Sequence, residues 1–178
     1  ALGYANRDEI LARYTKIQRR VSGYNLDEFV SGSDLNMDRF VVGLEGTLIT
    51  ISEAELGLVH KPKCTALLVL HFDDLIESME ATVATLEMEP AAVELIGSMI
   101  LRQAQSNLAY GRMTDFIIGE PEALLVVELT ADTESELISK LDVLENRMKR
   151  DGMGYAMPRL MSAADQAKVW NVRKAGLG

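Results

Sequence analysis

Two short constellations hold the residue types that binding chemistry needs. The first is Gly43-Leu44-Glu45-Gly46-Thr47-Leu48, which runs into a β-branched stretch. Glycine admits positive φ and leaves the main chain bare, so a flat ligand can approach backbone N–H and C=O groups there. The same residues also suit a plain tight turn with a polar residue between two glycines. The second is Trp170-Asn171-Val172-Arg173, with ring and guanidinium one helical turn apart. Arg173 can fork onto a substrate carboxylate, or it can stack on the Trp or pair with a surface acid.

Other chemistries lack their parts. The two histidines are His60 and His71, and the single cysteine is Cys64. His60 and Cys64 sit close in sequence, but no third or fourth ligand follows at a metal-binding spacing. No elbow motif anchors a Ser-His-Asp triad, and no G-x-x-x-x-G-K-[ST] loop is present to cradle phosphate. The scattered methionines, among them Met79, Met99, Met148 and Met161, read as core gap-fillers. Glu53/Glu55 and Asp73/Asp74 read as solvated faces and helix caps.

The elements that must position these residues fall into two regions. Asn6 is placed to cap a helix in which Ile10, Leu11, Tyr14 and Ile17 recur up to Arg19-Arg20. Val21 to Met37 reads as loop with at most a short helical turn. From Leu48 to Val59 an alternating stretch changes phase, which predicts a bulge or bend near Ser52-Glu53. His60-Lys61-Pro62-Lys63 is polar, and Pro62 would stop a central strand, so the boundary is expected there.

Beyond it the pattern is regular. Ala66 to Leu70 and Leu124 to Leu129 are continuous apolar runs suited to strands buried on both faces. Ala92 to Ile96 is a further strand, and Gly152 to Pro158 allows a last one. Asp74-Leu75-Ile76-Glu77 and Thr133-Glu134-Ser135-Glu136 look like capping boxes, and Ser162 to Asp165 caps a third helix. The first of these helices runs to about Glu87. Leu137, Leu141, Leu144 and Met148 line one face of the second. A helix from Gly97 to about Asn107 is an insertion. The order predicts an α+β fold: a mostly antiparallel ferredoxin-like βαββαβ sheet with helices on one face and its first and third strands central.

The chain has 178 residues, 48% hydrophobic and 25% charged, an ordinary globular composition. Charged residues interrupt every apolar run well short of the roughly 18 residues a membrane helix needs. A net charge of -9 without a dense basic stretch argues against nucleic acid. One cysteine excludes an intramolecular disulfide and makes the cytoplasm the default compartment, with peripheral membrane contact left open. Ala1 at one end and Lys174-Ala175-Gly176-Leu177-Gly178 at the other fit a piece of a longer protein.

A family resemblance runs through these same residues. Arg19-Arg20-Val21-Ser22-Gly23-Tyr24-Asn25-Leu26-Asp27, then Val42-Gly43-Leu44-Glu45-Gly46-Thr47-Leu48, then Thr50-Ile51-Ser52-Glu53-Ala54 resembles the end of the FAD-binding domain in FAD-linked oxidases. These are the vanillyl-alcohol-oxidase-like flavoproteins, in their D-lactate, glycolate and D-2-hydroxyglutarate dehydrogenase branch. The pattern there is S/T-G-Y-N/D-L followed by G-S-E-G-T-L-G-I-I-T-E-A. Leu44 stands where it has Ser, and Ile49 where it has Gly. Trp170 to Arg173 is similar to the branch's W-x-x-R signature.

The resemblance implies that residues 1–62 are the end of a PCMH-type FAD-binding domain. Residues 63–178 are then a truncated C-terminal substrate, or cap, domain. It assigns flavin contacts to Glu45, Gly46, Thr47, Thr50 and Ile51, and a substrate carboxylate to Arg173. The parent would oxidise a small 2-hydroxy acid by hydride transfer to FAD and pass electrons to an acceptor. A homo-oligomer is compatible with it. Tight FAD binding is not expected of this chain alone, because the family's pyrophosphate loop lies upstream of such a segment. The alternative is a cofactor-free ferredoxin-like binding or oligomerisation module.

Overall fold

The computed structural model describes residues 2–17, 23–30 and 36–175. Its contacts divide the chain into two units, Ala1–Leu58 and Val59–Gly178.

The first unit is built from short pieces: α1 (Leu2–Ala5), α2 (Arg7–Arg13), a 3-10 turn (Leu26–Phe29) and α3 (Met37–Val41). Ile10, Val30 and Leu44 are its buried apolar residues among those described, and the Phe29 and Phe40 rings meet edge-on with centroids 4.6 Å apart. The helix expected to reach Arg19-Arg20 stops at Arg13. Tyr14 turns extended, and its hydroxyl donates to the Tyr24 carbonyl at 2.9 Å, which draws the chain out of the helical path. Arg19, Arg20, Val21 and Ser22 of the resemblance motif lie outside the described residues. The loop expected from Val21 to Met37 contains the 3-10 turn, as far as it is described.

The alternating stretch from Leu48 to Val59 is not a strand. Among the described residues no backbone hydrogen bond reaches it, and Leu58 and Val59 are 92% and 93% exposed. Period-two apolarity favours an extended chain, but a strand exists only when a neighbour takes its N–H and C=O groups.

The second unit runs β1 (Cys64–Phe72), α4 (Leu75–Leu86), β2 (Ala92–Gly97), α5 (Ser98–Ser106), a 3-10 turn (Gly111–Met113), β3 (Ala123–Ala131), α6 (Glu134–Arg150), β4 (Arg159–Leu160) and α7 (Ala163–Ala175). The sheet order is β2-β3-β1-β4, with every pair antiparallel and Val69 opposite Val126. This is the expected α+β ferredoxin-like arrangement. The two most continuously apolar strands are central, and α5 is the insertion between β2 and β3.

Helices cover both faces rather than one. Leu68, Leu70, Phe72, Leu125 and Val127 pack with Ala81 of α4 and Leu137, Leu141, Leu144 and Met148 of α6. Leu67, Val69, Ile96, Leu124 and Val126 pack on the other side with Leu101 and Ala104 of α5 and Val169 and Val172 of α7. Apolar side chains on both faces of β1 and β3 require this second layer, since either face left wet would cost about 25 cal/mol per Å2 of apolar surface.

Two smaller expectations also change. The last strand lies at Arg159–Leu160, beyond Pro158, with only a bridge at Ala156 before it. Gly152 and Gly154 take positive φ, so the chain from 152 turns before it can pair. Arg159 then holds β4 to α6 through Asp142 at 2.7 Å and through Glu145. Of the four methionines named above, Met148 is core, whereas Met79, Met99 and Met161 are exposed. The first two lie on the outward sides of α4 and α5, and Met161 lies in the link from β4 to α7.

Candidate functional site

The glycine-bounded turn belongs to the first unit. Gly43, Glu45 and Gly46 have φ of 88°, 51° and 72°, so three of four consecutive residues are left-handed. At Glu45 that conformation is sterically costly for a side-chain-bearing residue and is held by its surroundings. The Thr47 amide and hydroxyl both donate to the Leu44 carbonyl, at 3.0 and 2.6 Å. Leu44, which stands where the resemblance motif has serine, is buried beneath the turn.

The two resemblance motifs meet here. The Tyr24 hydroxyl donates to Thr47 Oγ1 at 2.9 Å, and Asn25 Nδ2 donates to the carbonyls of Arg39 and Val42 at 2.8 and 3.4 Å. Tyr24 and Asn25 therefore brace the turn and the end of α3 leading into it. Sequence reading found these residues only as motif members, because bonds across some twenty residues leave no periodicity. The Thr47 amide is engaged and its hydroxyl is engaged twice, so its carbonyl is what it can most readily offer a ligand. Thr50 and Ile51 follow outside any helix or strand, with exposed side chains. A Cβ built on Gly43 or Gly46 meets nothing within 4 Å, so the turn has open space beside both glycines. A cleft of about 220 Å3 in this unit is lined by residues such as Tyr14, Ile17 and Arg39, and by none of the candidates.

Arg173 lies in the last turn of α7, in the second unit. Ser162 caps that helix, its hydroxyl accepting from the Asp165 amide at 3.1 Å. Gln166 fixes its register. Its Nε2 donates to the carbonyls of Thr65 and Met161 at 2.9 and 3.1 Å, and its Oε1 accepts from Thr65 Oγ1 at 3.1 Å. Lys168 ties the outer side to Asp115 at 2.7 Å. Trp170 packs partly buried against the α5/α7 side of the core. The Arg173 guanidinium does not face open water alone: Nη2 is 3.0 Å from Glu94 Oε1 on β2, with the two side chains 37% and 35% exposed. Glu94 escaped the sequence reading. Its signal was one acid inside the apolar run Ala92 to Ile96.

His60 and Cys64 stay apart in role: His60 is exposed beside Asp132 at 3.4 Å, and Cys64 is a half-buried free thiol. Among the described residues no group of three or more His, Cys, Asp or Glu could hold a metal ion, and no helix is long and apolar enough to cross a membrane.

Comparison with known proteins bears on both units. The family described as FAD linked oxidases, C-terminal domain, matches residues 61–178. The chain is similar to D-2-hydroxyglutarate dehydrogenases of Pantoea ananatis (strain AJ13355) and Escherichia coli (strain K12), with 25% identity over 186 residues and 23% over 185. Each match covers 97% of this chain and 18% of the relative. A third, from Pseudomonas putida, is 20% identical over 172 residues.

Proposed function

Because the chain belongs to the family of FAD linked oxidases, C-terminal domain, we propose that its parent protein is a FAD-dependent dehydrogenase of a small 2-hydroxy acid, in which Arg173 grips the substrate carboxylate. The observation that carries the assignment is the state of Arg173. It is half-exposed at the end of a helix whose register is locked, and among the described residues it has a single ionic partner. A guanidinium so placed has N–H groups to spare for a carboxylate.

In the same reading residues 1–62 are the end of the FAD-binding domain and 63–178 the substrate domain. Glu45, Gly46, Thr47, Thr50 and Ile51 border the flavin. The residues present fit that group. The left-handed turn has open space beside both glycines, and the backbone after it carries donors and acceptors that no other described residue engages. Bound FAD supplies the two-electron acceptor; these residues orient it and exclude water from one side. The relatives' names favour a D-2-hydroxyglutarate-like substrate, with an electron acceptor to complete turnover. A homo-oligomer is compatible with the reading. So is a cytoplasmic location with or without peripheral membrane contact, and the lone free thiol of Cys64 supports the former.

The test uses the flavin-loaded full-length protein. It is expected to be yellow, and a colourless protein that cannot be reconstituted with FAD would overturn the cofactor assignment. Arg173→Ala should lower kcat/KM for 2-hydroxy acids about a hundredfold, the equivalent of losing a charge-assisted bidentate pair. Arg173→Lys should recover only part, since an ammonium lacks the fork. The exposed pair with Glu94 contributes about 0–1 kcal/mol, so the melting temperature should barely move. Unchanged activity per bound flavin would make Arg173 a surface residue.

A further inference from the structure

We infer that Glu94 is a positioning residue for Arg173, holding the guanidinium in the orientation that receives a substrate carboxylate; the inference rests on the reading of Arg173 given above. Glu94 sits on β2 directly opposite Val126 of β3, so the sheet fixes its Cα. Arg173 sits on α7, which Gln166 pins to Thr65 of β1. Both backbones are rigid, and the freedom that remains is in the long Arg173 side chain.

Glu94 removes much of that freedom. The contact joins Oε1 to Nη2 at 3.0 Å. A guanidinium presents two forked edges that share Nη2, and a single ionic contact at that nitrogen leaves an edge for a second carboxylate. Arg173 can thus hold Glu94 and a bidentate carboxylate at once. An arginine ordered before the ligand arrives spares the ligand that ordering cost. Stability alone gives little reason for the pair, because partly exposed ion pairs contribute little and strands disfavour glutamate. The opposing effect is repulsion between Glu94 and an incoming anion. The Arg173 guanidinium between the two carboxylates offsets that repulsion, so ordering dominates.

The experiment measures binding of glutarate, a dicarboxylate that cannot be oxidised at C2, to the full-length FAD-loaded protein by calorimetry. Stopped-flow flavin reduction by D-2-hydroxyglutarate then separates Kd from the limiting rate. Glu94→Ala should weaken glutarate binding about threefold to tenfold, the range set by ordering one flexible side chain. Glu94→Gln keeps the reach and a neutral acceptor. It should recover part of the loss, and it carries the test if the alanine variant folds poorly. In an Arg173→Ala background Glu94→Ala should add nothing, because its effect passes through Arg173. If Arg173→Ala weakens glutarate and Glu94→Ala leaves it unchanged or tightens it, Glu94 is not a positioning residue and the Arg173 reading stands. If Arg173→Ala leaves glutarate binding unchanged, both fall.

Discussion

At His71 a fully buried imidazole holds a loop by its neutral form. Nε2 accepts from the Ile118 amide at 3.1 Å, so Nδ1 carries the proton and donates to the Val69 carbonyl at 3.0 Å. The Tyr155 hydroxyl donates to the Ile118 carbonyl at 2.7 Å, so one residue of the α5–β3 connection is clasped on both its polar groups. Burial pushes the His71 pKa below its ordinary 6.5, opposed in part by the backbone bonds at Val69, Ala156 and Phe116. The folded state therefore disfavours the imidazolium, which would also turn an N–H toward the Ile118 N–H. Stability from this group is fully present above the unfolded pKa and is lost as pH falls through the lower folded value. Melting temperature should accordingly decline from pH 7 to pH 5. In His71→Gln, which can still accept from Ile118 but does not titrate, the decline should be shallower. Parallel slopes for the two proteins over that range would show that His71 is not the group responsible.

Three of the four helices of the second unit, α4, α6 and α7, were legible because each carries its own start signal. Asp74 accepts from the amides of Ile76 and Glu77 at 2.7 and 3.0 Å, Thr133 accepts from Glu136, and Ser162 accepts from Asp165. The apolar strands β1 and β3 were legible for the same local reason. What failed was information held elsewhere in the chain. Leu48 to Val59 alternates like a strand and finds no partner, α2 is cut short by Tyr14 reaching Tyr24, and β4 is displaced by two left-handed glycines. Of the candidate site, the turn and Arg173 were visible as motifs. The Tyr24 brace and Glu94 are long-range contacts that spacing cannot encode. Glu77 shows the same limit inside a recognised motif. In a capping box its carboxylate would return to the helix start. Instead it accepts from the Gly154 amide at 2.7 Å, fastening α4 to the turn before β4. Gly154 has φ of 72° and its Cβ position lies 3.1 Å from the His71 carbonyl, so the turn has little room to adjust. Glu77→Ala should therefore cost about 1–3 kcal/mol, the range for orphaning a partly buried donor that had a charged partner. Glu80→Ala, on the same helix and exposed, should lie within about 0.5 kcal/mol of the wild type. Urea titrations of the two variants provide the comparison, and equal midpoints would remove the role given to the Glu77–Gly154 bond.

Over the whole molecule the two units differ in what holds them. In the second, both central strands pair on either side and lie between two helical layers. Opening Val126 breaks β3 away from Val69 on one side and Glu94 on the other, and wets a face of each core cluster. In the first, Ile10, Val30 and Leu44 are the buried apolar residues among those described, its helices span four to seven residues, and the stretch from Leu48 lacks backbone bonds. Helices of that length are not stable on their own, and local opening is governed by buried contacts and protected backbone bonds. Native-state hydrogen exchange on the 178-residue chain should therefore resolve two tiers. Amides from 48 to 59 should exchange at close to the unprotected rate. Those of α2 and α3 should follow through local opening, while Leu68, Val69, Val126 and Val127 exchange last, through the largest unfolding event. Mild denaturant should accelerate the core amides steeply and the first unit hardly at all, because only the former expose much surface when they open. Protection of the 48–59 segment equal to that of Val126 would mean that this segment is paired in solution, and that the two units do not differ in stability as their packing requires.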